Sequence, residues 1–174
     1  MKKIQLSSLE ISKVLSKLAV IDIYYTPKLE CITIESSSVK EINIQSCTNL
    51  KKVKLNDRLN NLSSINISNV PLCEIRLETT WTSLKELVLV GTDVKELYIP
   101  KECIALNFIN VSGCPIESIT YDRKKDNFSK RSEDRETVVL CYYITRQTMT
   151  VYKREYHEIF FIPSDTEVTL EKIN

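Results

Sequence analysis

From Leu18 onward, aliphatic residues recur as L-x-x-I-x-I, with Leu, Ile and Val exchanging freely. The units are Leu18/Ile21/Ile23, Leu29/Ile32/Ile34, Val39/Ile42/Ile44, Leu50/Val53/Leu55 and Leu62/Ile65/Ile67. They continue as Leu72/Ile75/Leu77, Leu84/Leu87/Leu89, Val94/Leu97/Ile99, Leu106/Ile109/Val111 and Ile116/Ile119/Tyr121. Of these thirty positions only Tyr121 is not Leu, Ile or Val, although those three types make up just 51 of 174 residues, so chance placement does not account for the pattern. Within a unit the fourth and sixth residues point the same way, because strand side chains alternate. The β-branched excess favours strand over helix. Each unit therefore predicts one short strand with an apolar inner face.

Every second unit start is the more regular series: 18, 39, 62, 84, 106 and 29, 50, 72, 94, 116, with steps of 21 to 23. The repeat is thus about 22 residues and holds two short strands. The turns carry the same period. In the first series the eighth position reads Tyr25, Ser46, Asn69, Gly91, Gly113, which takes both glycines of the chain. Backbone freedom is useful there. The tenth position reads Pro27, Thr48, Pro71, Asp93, Pro115, three of the five prolines. No ladder donor is needed at such a site. The second series lacks this pattern, so its corner is expected to differ. One lap cannot bury its own apolar row. Stacking laps about 4.8 Å apart does so, and pairs the backbone in parallel sheets. Five laps predict two sheets of about five strands on opposite sides of a narrow core.

This doubled motif resembles the leucine-rich repeat family, and most closely its bacterial nested subclass, with two LxxLxL strands in each turn of about 21 residues. The resemblance covers Leu18 to about Tyr121, more than half of the chain. The family often carries Asn or Cys at the ninth position. Here that slot holds Cys47 and Cys114, but also Thr26, Ser37, Thr80, Thr92 and Val70. A plain parallel β-helix is the alternative. The resemblance implies a mainly β, leucine-rich-repeat-like β-solenoid that binds other proteins.

A solenoid exposes apolar rows at each end and needs caps. Ser7 and Glu10 form a capping box, which predicts a short helix over 8–17 after a strand holding Ile4 and Leu6. The expected organisation is an N-terminal helical cap (1–17), the solenoid (18–121), a charged loop or linker (122–136) and a β-rich C-terminal cap (137–174). Eleven of the fifteen residues 122–136 are charged, with both signs interspersed. Beyond them TVVLCYYIT (137–145), TMTVYK (148–153) and EIFFI (158–162) read as strands, with Arg146-Gln147 as a hairpin turn. This segment could instead be a separate ligand-binding unit.

Composition narrows the function. The net charge is +1, so no overall field draws the chain to nucleic acid or acidic lipid. After Met1-Lys2-Lys3, the charges of Glu10, Lys13 and Lys17 interrupt any signal-peptide core, and no run of about 18 apolar residues could span a membrane. The six cysteines form no C-x-x-C pair and His157 is the only histidine, so no metal or other cofactor is expected. The thiols read as reduced, which places the chain in the cytoplasm. There is no phosphate loop, dinucleotide fingerprint, nucleophile elbow or H-E-x-x-H, and no catalysis is expected. A Cys141–His157 pair is the residual catalytic candidate, but Cys141 lies inside an apolar strand, where thiols are usually inert.

The outward strand positions are the candidate binding surface. On the first series, Val88, Val90 and Phe108 should be neighbours flanked by Asn66 and Asn110. An apolar cluster rimmed by polar groups suits a protein partner, unless the C-terminal segment covers it. The second series gives a mixed-charge face, including Glu35, Glu74, Glu78 and Glu96 beside Lys51, Lys52, Lys54 and Arg76. Those cations, with the Arg123-Lys124-Lys125 run, are the basis of an alternative nucleic-acid-binding role. An exported, host-directed or adhesive solenoid is a variant of the first reading. Trp81, in the corner Thr79-Thr80-Trp81-Thr82-Ser83, is expected as a corner plug or an interface anchor. Self-association through an uncapped end is a further expectation.

Overall fold

In the computed structural model, which describes residues 6–106, 108–122, 139–141, 149–154, 160–162 and 168–172, the chain coils into a parallel β-solenoid of about five turns with some 22 residues each. Its strands are β1 (Ser8–Ile11), β2 (Val20–Tyr24), β3 (Cys31–Ile34), β4 (Glu41–Gln45), β5 (Lys52–Leu55), β6 (Ser64–Ser68) and β7 (Glu86–Val88). They continue as β8 (Glu96–Ile99), β9 (Phe108–Asn110), β10 (Ser118–Asp122), β11 (Val139–Cys141), β12 (Met149–Arg154), β13 (Phe160–Ile162) and β14 (Val168–Lys172). The first series builds one long sheet in the order β13-β11-β9-β7-β6-β4-β2. Each pairing there is parallel. Ile21 faces Ile42, Ile42 faces Ile65, Ile65 faces Leu87 and Leu87 faces Ile109, so the predicted column forms in register.

The second sheet is broken. Strands β1-β3-β5 form one part and β14-β12-β10-β8 the other. Residues 70–78 between them form no strand, yet Ile75 and Leu77 still point into the core. Val53 and Leu55 of β5, at the edge of this break, are only half-buried. The apolar pattern therefore survives a lap in which the hydrogen-bonded ladder does not. Of the thirty patterned positions, 26 are buried, the exceptions being Leu18, Val53, Leu55 and Tyr121, whose side chain lies outside the described set.

The two corners differ, as the turn residues predict. At the first corner Tyr25, Ser46, Asn69, Gly91 and Gly113 all take positive φ, from 50° to 73°. Each turns the chain in the left-handed region, where glycine meets no steric cost. The amides of the first four donate to carbonyls of the next lap, at Gln45, Ser68, Val90 and Ser112, over 2.8–3.1 Å. The second corner runs through successive three-residue turns: Leu59 bonds Asn56 and Leu62 bonds Leu59, with matching sets at 78–81–84 and 100–103–106. Its inner plug is Leu59, Trp81 and Cys103, all fully buried. Trp81 is thus a corner plug, and its indole Nε1–H donates to the Asn56 carbonyl at 3.2 Å.

Two expectations fail. The helix predicted over 8–17 is absent, and no helix occurs among the described residues. Instead β1 pairs in parallel with β3, placing Leu9 against Ile32 and Ile11 against Ile34. Leu6/Leu9/Ile11 is an eleventh copy of the motif, and packing Leu9 and Ile11 against the column outweighs a local capping box, while Leu6 stays exposed. Likewise β11 and β12 do not form a hairpin. They enter opposite sheets, β11 beside β9 and β12 beside β10, in parallel. The β-rich C-terminal segment extends the coil. The Arg146-Gln147 turn and the charged run 123–136 lie outside the described residues.

Candidate functional site

The outer face of the long sheet carries three rows of side chains. The middle row runs Asp22, Asn43, Asn66, Val88, Asn110 from lap to lap. Strand alternation turns these residues outward because Ile21, Ile23 and their equivalents fill the core. Val88 therefore sits directly between Asn66 and Asn110. Phe108 lies opposite Glu86, one step diagonally from Val88, within reach for an aromatic side chain. Val90 follows two residues after Val88, on the same face. All five predicted residues are half-buried, because each is shielded by its lap neighbours. The fold thus brings Asn66, Val88, Val90, Phe108 and Asn110 onto one rigid surface.

Hydrogen bonding fixes how the two asparagines present themselves. The backbone amide of Ser112 donates to Asn110 Oδ1 at 3.0 Å, and its hydroxyl does the same at 2.7 Å. The carbonyl side of the amide is thereby occupied and its NH2 group is left to the outside. Ser68 holds Asn66 Oδ1 at 2.7 Å in the same way. Further along the row, Asn43 donates to Asp22 at 2.8 Å, so its amide is spent within the sheet. The surface around Val88 can therefore offer methyl groups and an aromatic ring flanked by two amide donors.

The described strands of the C-terminal segment stack edge-on against the two sheets. β11 continues the long sheet beside β9, with Val139 opposite Phe108 and Cys141 opposite Asn110. His157 lies outside the described residues, as does the Cys141 side chain. Among the described residues no group of three or more His, Cys, Asp or Glu is placed to hold a metal ion.

The charged face of the second sheet is more scattered than its sequence suggests. Lys52 and Lys54 pair with Cys31 and Thr33 on β3. Arg76 falls in the lap where the sheet is broken, and it bonds Glu78 at 3.5 Å. Farther along, Lys95 and Glu117, one lap apart, form an exposed pair at 2.9 Å. The carboxylate of Glu117 raises the pKa of Lys95, through its hydrogen bond first and its charge second. The cations are thus interleaved with acids.

The ninth position, variable in sequence, has a shared role in the first corner. Thr26 and Cys47 meet at 3.0 Å across one lap, and Thr92 and Cys114 at 3.1 Å across another. Thr92 also donates to the Leu89 carbonyl at 3.1 Å, and the Cys114 thiol reaches the same oxygen. Burial pushes the Cys114 thiol pKa up, against the opposing effect of its bonds to Thr92. These are structural thiols. Sequence reasoning misses that hydroxyl–thiol pairs bridge successive laps at that position. It also misses the exposed residues at the N-terminal end, because the capping signal of Ser7 and Glu10 masks the unit Leu6/Leu9/Ile11.

No family model matches this chain, and neither the curated proteins nor the solved structures give a match.

Proposed function

We propose that this chain is a non-catalytic protein-interaction module of the leucine-rich-repeat type, acting in the cytoplasm. Its contact surface is the outer face of the long sheet around Val88, Val90 and Phe108. The observation that carries this reading is the apolar track flanked by the outward NH2 groups of Asn66 and Asn110, on a backbone locked by ladders on both sides. A preformed sheet face loses little entropy on binding. The amide donors suit a partner that offers carbonyl or carboxylate oxygens beside an apolar side chain. The hydroxyl–thiol pairs at the first corner support the repeat-family likeness, since they bond the turn backbone as the family's ninth residue does. Nucleic acid is the weaker reading, because Lys52, Lys54 and Arg76 do not line up along one ladder.

The test is differential capture. Val88→Asp with Phe108→Lys replaces the apolar track by charge. Lysine at position 108 stands opposite Glu86, so the sheet keeps a favourable cross-strand pair. The wild-type chain should capture a defined partner, a photoreactive residue at position 88 should cross-link to it, and the double variant should lose it while keeping its circular dichroism. Equal capture by the folded double variant would remove this face from consideration.

A further inference from the structure

The N-terminal end of the coil is a step. β1 belongs to the second sheet and β2 to the long sheet, and among the described strands each is an edge at this end. They follow one another in the chain, so β1 stands half a lap beyond β2. The open side of each edge can be read from the ladders on the other side. Lys40 and Glu41 donate to the Ala19 carbonyl, and Tyr25 donates to Gln45, so the odd residues of β2 face β4. Val20, Asp22 and Tyr24 turn their N–H and C=O groups to the open side. In the same way Ser7 and Ile11 accept from Glu30, Cys31 and Glu35, which leaves Leu6, Ser8 and Glu10 facing outward from β1.

Apolar surface is concentrated here. Six of the eight exposed large hydrophobic residues among those described, Leu6, Val14, Leu15, Val20, Tyr24 and Tyr25, fall within the first lap. A cleft of about 880 Å³ opens between the two edges, lined by Leu6, Leu9, Ile23 and Leu29 with Tyr24 and Tyr25. Exposed edges beside apolar surface are sites of strand addition.

We propose that the occupant is a second copy of this chain, docked end to end about a two-fold axis parallel to the strands. The fit follows from the step itself. A coil of two strands per lap runs out along one sheet and back along the other. A two-fold axis along the strands exchanges the sheets, so the long sheet of one copy continues into the second sheet of the other. β2 then meets β1 of the second copy in antiparallel direction, and β1 meets β2 of the second copy by the same operation. Each half-lap step fills the other, and the contact closes as a dimer.

Side chains select the register. With Asp22 opposite Ser8 of the second copy, Tyr24 falls opposite Leu6 and Val20 opposite Glu10. All three are pairs whose backbone groups face each other, and Ile21 meets Leu9 on the inner side. The serine hydroxyl can donate to the Asp22 carboxylate. A shift by one pair would set Asp22 against Glu10, and like charges directly opposite are destabilising. The opposite shift would place the Asp22 carboxylate against Leu6.

Sedimentation of the full chain across a dilution series should show a reversible dimer at twice the mass of one chain, with nothing larger. Asp22→Pro removes an N–H that points to the open side and leaves the β4 ladder intact, so this variant should stay folded and sediment as a monomer. Should that variant fail to fold, paired cysteines give an independent reading. Ser8→Cys with Asp22→Cys should yield a covalent dimer on mild oxidation, because the two positions lie on opposite outer faces within one chain. Glu10→Cys with Asp22→Cys, and the wild-type chain, should not. A wild-type monomer at every concentration overturns the proposal. So does mass that grows beyond the dimer, which would mean head-to-tail stacking, or linkage through positions 10 and 22 in place of 8 and 22.

Discussion

A side chain on Gly91 would run into Asn69. The two residues occupy the same corner slot one lap apart, and a Cβ at Gly91 would lie 2.8 Å from Asn69 Oδ1. Gly91 also holds φ at +62°. Gly91→Ala should therefore cost the left-handed penalty of about 1–2 kcal/mol and the contact as well. Gly113→Ala should cost only the first, because its nearest neighbours, Gly91 Cα and N, are at 3.6 Å. Combining Asn69→Gly with Gly91→Ala should recover part of the loss. Urea unfolding of the four chains checks the ranking; equal losses for the two alanines would mean that the exposed Asn69 amide swings aside and the contact costs nothing.

Trp81 joins the second corner to the lap before it. Its ring is fully buried and its Nε1–H satisfies the Asn56 carbonyl. Trp81→Phe should lower stability by about 0.5–1.5 kcal/mol, the loss of one hydrogen bond, because the Asn56 carbonyl keeps the Leu59 amide as a donor. Trp81→Ala should cost about 3–5 kcal/mol, because a cavity opens between Leu59 and Cys103. Indole fluorescence of the native chain should be blue-shifted and poorly quenched by iodide.

Cys114 links the first corner to pH. Its pKa is raised above the ordinary value of 9.0 by burial. The folded chain keeps the thiol proton where the unfolded chain loses it, so the unfolded state binds fewer protons. Stability is then full below the ordinary thiol range and falls as pH climbs above it towards the folded pKa. Lys95, whose pKa is raised by Glu117, acts with the same sign at still higher pH. Cys114→Ala should lose less stability between neutral and alkaline pH than the wild type, whatever its stability at neutral pH. In the native state a thiol reagent should modify exposed Cys73 well before Cys47, Cys103 or Cys114.

Much of this fold is legible in the sequence because buried strand positions tolerate few residue types. The columns through Ile42, Ile65, Leu87 and Ile109 can be read directly, as can the left-handed corner slot at Gly91 and Gly113. Neither end is legible in that way, and each for a physical reason. Ser7 and Glu10 carry a local helix signal, whereas Leu6, Leu9 and Ile11 carry the lap signal, and only the packed column decides between them. At the other end the period is interrupted. Leu140 pairs with Ile109 and Val151 with Ile119, each across a lap lengthened by the charged insertion. Adjacent strands of that segment then look like a hairpin, although they belong to opposite sheets. The broken ladder at residues 70–78 leaves no mark in the apolar pattern at all. Outward positions are freer. The sequence places Val88 beside Asn66 and Asn110, but the serine bonds that aim those amides outward need coordinates.

All the surfaces described rest on parallel pairing between residues one lap apart. The most direct check is the pattern of cross-strand contacts in solution, measured by nuclear Overhauser effects on isotopically labelled chain. The account predicts contacts along Asn43–Asn66–Val88–Asn110 and along Ile42–Ile65–Leu87–Ile109, with parallel-ladder amide–α-proton connectivities between neighbours. Helical contacts three and four residues apart within 18–121, or antiparallel connectivities between β6 and β7, would contradict it.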